Sequence, residues 1–146
     1  MGTVLDTTVF IELERAMRGL PPERAMGEVG VRLRDQLGEN DEVGIAAITA
    51  SELLHGVHRA TEEHRGRREA FVEAVLAAFP TLPFDLLVAR VHARLWAGLA
   101  SSGADVGAHD RLVAATAMYA GWRVGTGNER HFNRIPGLDL KLVQLS

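Results

Sequence analysis

The sequence predicts an α/β domain built on a mostly parallel sheet. Two observations carry that reading: short apolar runs alternate with longer helical ones, and no Pro/Ser-rich linker, internal repeat or low-complexity tract interrupts the alternation. A third bounds it. The chain has 146 residues, of which 47% are hydrophobic and 24% charged, the size and composition of one ordinary globular domain, so residues 1–146 are read as a single domain.

The elements follow in order. Thr3-Val4-Leu5 is a short strand entering Asp6. From about Thr8 the pattern turns helical, with Phe10, Ile11, Leu13 and Met17 on one face, and Gly19 with Pro21-Pro22 ends it. A second helix covers about Gly27 to Leu37 through Val29, Leu33 and Leu37, and the polar stretch Gly38 to Glu42 is a loop. Val43 to Ile48 suits a buried strand, followed by a helix from about Ala50 to Arg59. The next helix runs from about Arg65 to Phe79, with Phe71, Val75 and Leu76 on one side. Pro80 and Pro83 bracket a short extended Thr81-Leu82. Asp85 caps a long helix to about Ala100, with Leu86, Val88, Val91, Leu95 and Leu99 facing inward. Ser101 to Gly107 is a loop, His109 to Ala120 a small-residue helix, Trp122 to Gly125 a strand, and Leu140 to Gln144 a final strand.

Composition excludes several functions. Sixteen Lys+Arg against nineteen Asp+Glu give a net charge of −3, so nucleic acid would have to be met by a local patch. No cysteine is present, which removes disulfides, thiolate zinc sites and cysteine nucleophiles. No apolar stretch approaches membrane-spanning length, and Met1 to Asp6 lacks the basic and apolar regions of a signal peptide.

Ligands of parallel sheets bind outside the carboxyl ends of the strands. Four polar residues fall at such places: Asp6 after the first strand, Glu52 opening the helix after the second, Asp110 opening the small-residue helix, and Asn128 just past the strand ending at Gly125. Three carboxylates in one cleft repel one another, and a bound divalent cation such as Mg2+ resolves the repulsion. Each residue also has a structural reading. Thr49 and Glu52 form a T-x-x-E capping box, Asp110 sits where a helix dipole favours an acid, Asp6 could cap the following helix, and Asn128 could be a turn residue. Joint placement, not any single residue, favours a site.

Four segments carry a family resemblance: Val4 to Ile11, Ile48 to Val57, Gly107 to Ala117 and Gly125 to Leu138, in order and spanning most of the chain. Together they resemble the PIN-domain family, and within it the VapC-type ribonuclease toxins of bacterial VapBC toxin–antitoxin pairs. The resemblance implies a three-layer α/β/α fold with a central, mostly parallel sheet of four or five strands. It further implies a cytoplasmic Mg2+-dependent endoribonuclease, with Mn2+ as a substitute, that cleaves RNA and inhibits translation or growth. Asp6, Glu52 and Asp110 match the family's acids; Asp6 and Asp110 would hold the metal, with Glu52 direct or through water. Asn128 matches a fourth position that is often acidic, and the amide removes one negative charge from the cluster. Thr7 and Thr126 are supporting hydroxyls, while Asp105, Glu129 and His109 are neighbouring candidates. Expected partners are RNA, a VapB-type antitoxin and a second copy of the chain.

The remaining histidines read as packing or surface residues. Arg59, Arg65, Arg67 and Arg68 read as a solvated loop paired with Glu62 and Glu63, or else as a phosphate-tracking patch. Competing enzymes fit poorly: a haloacid-dehalogenase phosphatase needs a second acid where Thr8 stands, and no G-x-G-x-x-G follows the first strand. The alternative that survives is a catalytically weak PIN-like scaffold that binds RNA or an antitoxin.

Overall fold

The computed structural model describes residues 1–145. Five strands form one sheet: β1 (Gly2–Leu5), β2 (Glu42–Ala46), β3 (Thr81–Leu82), β4 (Arg123–Thr126) and β5 (Leu140–Leu142), in the spatial order β3-β2-β1-β4-β5. Every pairing is parallel. Six helices connect and flank them: α1 (Thr7–Ala16), α2 (Pro22–Leu37), α3 (Ala47–Arg59), α4 (Glu62–Ala78), α5 (Leu86–Ser102) and α6 (Ala108–Ala120), and a 3₁₀ turn covers Glu129–His131.

Period-two alternation along the strands builds two cores, one on each sheet face. Leu5 and Ile45 point into a core with Val9, Phe10 and Leu13 of α1, Val29 and Leu33 of α2, and Phe71, Val72 and Val75 of α4. Val4, Ala46 and Val124 point the other way, onto Leu99 of α5, Val113, Ala114 and Ala117 of α6, and Phe132. The result is the expected three-layer α/β/α arrangement, with the sheet wholly parallel.

Several boundaries and faces differ from the sequence reading, each for a physical reason. Pro22 opens α2 instead of closing α1, because proline's missing N–H is harmless in a helix first turn. Strand β2 ends at Ala46 and α3 starts at Ala47, so Ala47 and Ile48 belong to the helix. The Arg59–Arg68 segment is mostly helical, since α4 begins at Glu62. There Arg68 pairs with Glu14 at 3.1 Å, and Arg65 donates to the Ala60 carbonyl. Ile11 and Leu86, expected to face inward, are exposed. Asp85 does cap α5, accepting the Val88 N–H at 3.1 Å.

β1 is central, with β2 on one side and β4 on the other. The chain leaves β1 for one flank and later returns to the other, so the carboxyl ends of β1 and β4 bound a topological switch point, where a cleft opens.

Candidate active site

Asp6 directly follows β1 and is 3% exposed. Its backbone N–H is bonded to the Gly125 carbonyl of β4 at 3.0 Å, which ties it to the neighbouring strand. It occupies the N-cap position of α1, yet its side chain makes no capping bond. Instead Oδ1 accepts from the Thr8 hydroxyl at 2.6 Å and Oδ2 from the Thr126 hydroxyl at 2.8 Å. The Asp6 carboxylate is therefore committed to Thr8 and Thr126, with the Val9 N–H of α1 a lesser partner. Burial pushes its carboxyl above the ordinary carboxylate range, and the hydrogen bonds from Thr8 and Thr126 oppose that rise.

Glu52 lies one turn into α3. The capping box fails here: the N-cap is Ala46, and Thr49 is fully buried inside the helix with its hydroxyl unpartnered among the described residues. Freed from capping, Glu52 reaches toward β1. Its Oε1 accepts from the Thr7 hydroxyl at 2.8 Å, and Oε2 stands 3.2 Å from His109 Nδ1. Asp110 lies in the first turn of α6, where the helix dipole favours an acid. Gly107 leaves it room: a Cβ there would lie 3.3 Å from Asp110 Oδ2. Burial raises the Asp110 carboxyl above its ordinary range. The charges of Asp6 and Glu52 push the same way, while His131 and His109 oppose. That mutual repulsion ties carboxylates 6, 52 and 110 into one electrostatic site.

Asn128 caps the 3₁₀ turn, its Oδ1 accepting the Arg130 N–H at 3.1 Å, so the turn reading holds in part. Its own N–H is held by Thr126 Oγ1 at 3.0 Å, which joins it to the Asp6 network. Asp105 and Glu129 are exposed, and among the described residues neither makes a hydrogen bond or ion pair to the cluster.

Three residues were missed. Thr8 bonds Asp6 and also accepts the Gly127 N–H at 3.0 Å. His131, read as a packing or surface residue, stands 3.7 Å from Asp110 Oδ2 through Nδ1 and 3.2 Å from Asn128 Nδ2 through Nε2. Glu12 Oε2 is buried without a hydrogen-bond partner among the described residues, and a Cβ at Gly127 would lie 3.4 Å from it. Thr8 had a signal, being adjacent to Thr7 and two residues from Asp6. His131 had only its place three residues beyond Asn128. Glu12 had none, since on a helix it reads as solvent-facing.

The donors are hard oxygens, the ligand type Mg2+ takes; burial lifts the carboxyls of buried Asp6 and half-buried Asp110, neighbouring carboxylates lift Asp110 further, and a cation would relieve both. Among the described residues no three His, Asp or Glu side chains form a ready cage for a metal ion. Mg2+ keeps several waters and uses one or two carboxylates, so Asp6 and Asp110 are the residues that could hold it directly.

A cluster of acids at the switch point of a parallel three-layer α/β/α sheet is the arrangement that the fold and site together define. Residues 3–138 match the PIN-domain family, and the chain belongs to it. It is 33% identical over 146 residues to the ribonuclease VapC of Rickettsia bellii, covering 99% of this chain and 98% of that protein. It is 34% identical over 144 residues to ribonuclease VapC1 of Rickettsia felis, covering 98% and 97%. Among solved structures it resembles the DNA-bound VapBC of Salmonella typhimurium, with a TM-score of 0.77 and 28% identity over 97% of each chain. It also resembles VapBC-5 of Mycobacterium tuberculosis, with a TM-score of 0.69 and 31% identity over 99% and 98%.

Proposed function

We propose that this chain is a Mg2+-dependent endoribonuclease, the toxin of a VapBC-type pair, acting on RNA in the cytoplasm and thereby inhibiting translation or growth. The observation that carries the reading is the convergence of Asp6, Glu52 and Asp110, from β1, α3 and α6, close enough for the first two to raise the carboxyl of the third. Relatives named ribonuclease VapC along nearly the whole chain support the activity.

The chain's own residues have distinct roles in this reading. Thr8 and Thr126 grip both oxygens of Asp6, which orients the carboxylate and favours its charged form against burial. Thr7 and His109 hold Glu52 at the edge of the cluster, where it meets the cation directly or through water. Asp110 keeps the remaining direct position. Mg2+ (or Mn2+) held by Asp6 and Asp110 would supply Lewis-acid stabilisation of charge on the phosphate and an activated water. The reaction is a hydrolysis: water adds to phosphorus, the ribose 3′ oxygen leaves, and the products carry 5′-phosphate and 3′-hydroxyl ends.

A VapB-type antitoxin is the proposed inhibitor, a reading supported by the VapBC complexes this fold resembles. A homodimer is supported by Leu86, Leu87 and Trp96 of α5, which are 66%, 51% and 54% exposed.

The test is cleavage of a broad cellular RNA pool by the purified chain, with Mg2+ and with chelator, beside Asp110→Asn. Mg2+-dependent cutting that is lost in the variant is expected. Folded, antitoxin-free protein that leaves the pool intact would overturn the nuclease reading and favour the binding-scaffold alternative.

A further inference from the structure

Asn128, the departure from an acid at the fourth position, has donor and acceptor geometry that assigns it a different task. A backbone N–H can only donate, and that of Arg130 points at Asn128 Oδ1 at 3.1 Å. The amide orientation is thereby fixed, with oxygen toward Arg130 and nitrogen on the other side. Nδ2, which can only donate, lies 3.2 Å from His131 Nε2. A ring nitrogen facing that donor must offer its lone pair, so Nε2 is bare. A neutral imidazole with a bare Nε2 carries its proton on Nδ1, the nitrogen that faces Asp110 Oδ2 at 3.7 Å. That separation lies beyond direct hydrogen-bond reach, so the contact is an electrostatic one between the Nδ1–H dipole and the carboxylate.

We propose that Asn128 is a positioning residue: it sets His131 in the Nδ1–H tautomer, and the imidazole so fixed holds Asp110 in place for the cation. The second link rests on the metal reading given above; the first does not. An aspartate at 128 has no N–H to offer. It would draw a proton to Nε2, leaving Nδ1 bare against the Asp110 carboxylate or the ring doubly protonated. With a neutral ring, the amide leaves the proton on Nδ1, whereas a carboxylate at 128 takes it on Nε2. Hydrogen-bonded partners behind a ligating carboxylate orient it and strengthen metal binding.

The experiment has two readouts on the full chain. The first is 15N NMR of labelled histidine without metal, above the ordinary histidine titration range, with the His131 signals assigned from their loss in His131→Asn. Wild type should show a protonated Nδ1 and a bare Nε2. Asn128→Ala should shift the ring toward the Nε2–H form, and Asn128→Asp should protonate Nε2. A wild-type Nε2–H tautomer, or a tautomer indifferent to both variants, overturns the first link. The second readout is Mn2+ affinity by calorimetry, where Asn128→Ala and His131→Asn should each weaken binding about 10- to 100-fold in chains that remain folded at the assay temperature. Unchanged affinity in both overturns the second link. Failure of wild type to take up Mn2+ overturns the metal reading itself and leaves the tautomer result standing.

Discussion

Thr126→Val isolates the hydroxyl at the centre of the Asp6 network without changing side-chain shape. Thr126 is fully buried, donates to Asp6 Oδ2 at 2.8 Å and accepts the Asn128 N–H at 3.0 Å. Losing a hydrogen bond to a charged group costs about 1.5–3 kcal/mol, and losing a neutral one about 0.5–1.5 kcal/mol. Asn128 is exposed, so water replaces part of the second bond. The expected destabilisation is about 2–3 kcal/mol, which lowers Tm by roughly 4–12 °C in a chain of this size. The assay is urea and thermal unfolding, in chelator, of wild type, Thr126→Val, Thr126→Ser, Asp6→Asn and the Asp6→Asn/Thr126→Val double variant. Serine keeps the hydroxyl and should recover most of the loss. The double-variant cycle should give a coupling of about 1–2 kcal/mol, because the bond to a neutral amide is weaker than that to a carboxylate. Zero coupling, or serine as damaging as valine, would refute the claim that Thr126 acts through Asp6.

Other outcomes follow from the same site. Saturating Mg2+ at about 100 times Kd should stabilise wild type by about 2.7 kcal/mol, and Asp110→Asn should abolish the Tm rise. The Asp6 and Asp110 carboxyls are raised from 3.8, so between that value and their folded values the native state binds more protons than the unfolded one. Metal-free stability relative to Asp110→Asn should therefore fall as pH rises through that window and stay lowest above it, and a difference that grows in wild type's favour would contradict the burial of these charges. At the opposite end of the sheet, Gly2→Ala would place a Cβ 2.2 Å from two ring atoms of Trp122. Overpacking of that kind costs about 1–3 kcal/mol, so unfolding should come earlier while RNA cleavage well below Tm is retained.

The fold class was legible because burial on both faces of a parallel sheet leaves short apolar runs, and helices leave a longer period, in any single chain. Boundaries were less so. Ala47 and Ile48 continue the apolar run of β2, and nothing local says that the backbone turns helical at Ala47; packing of Thr49 and Leu53 decides it. That shift of three residues separates a capping box from a free Glu52. The inward face of α5 was over-read at Leu86, because apolar character alone does not reveal that Leu86 lies on the exposed side of the first turn while Val88, two residues on, is buried.

Residue order alone determined which acids exist and that they follow strands, and Asp6, Glu52, Asp110 and Asn128 could be named on that basis. The tertiary structure decided what each one touches. Thr8 and Thr126, 118 residues apart, close on one carboxylate only because β1 and β4 are neighbours in the sheet. His109 and His131 meet different acids because α6 and the 3₁₀ turn come to the same edge. Hydrogen bonds and charge interactions act over a few ångströms through space, whereas a sequence records only distance along the chain, so the partners of a site are written in the fold even when its acids are written in the sequence.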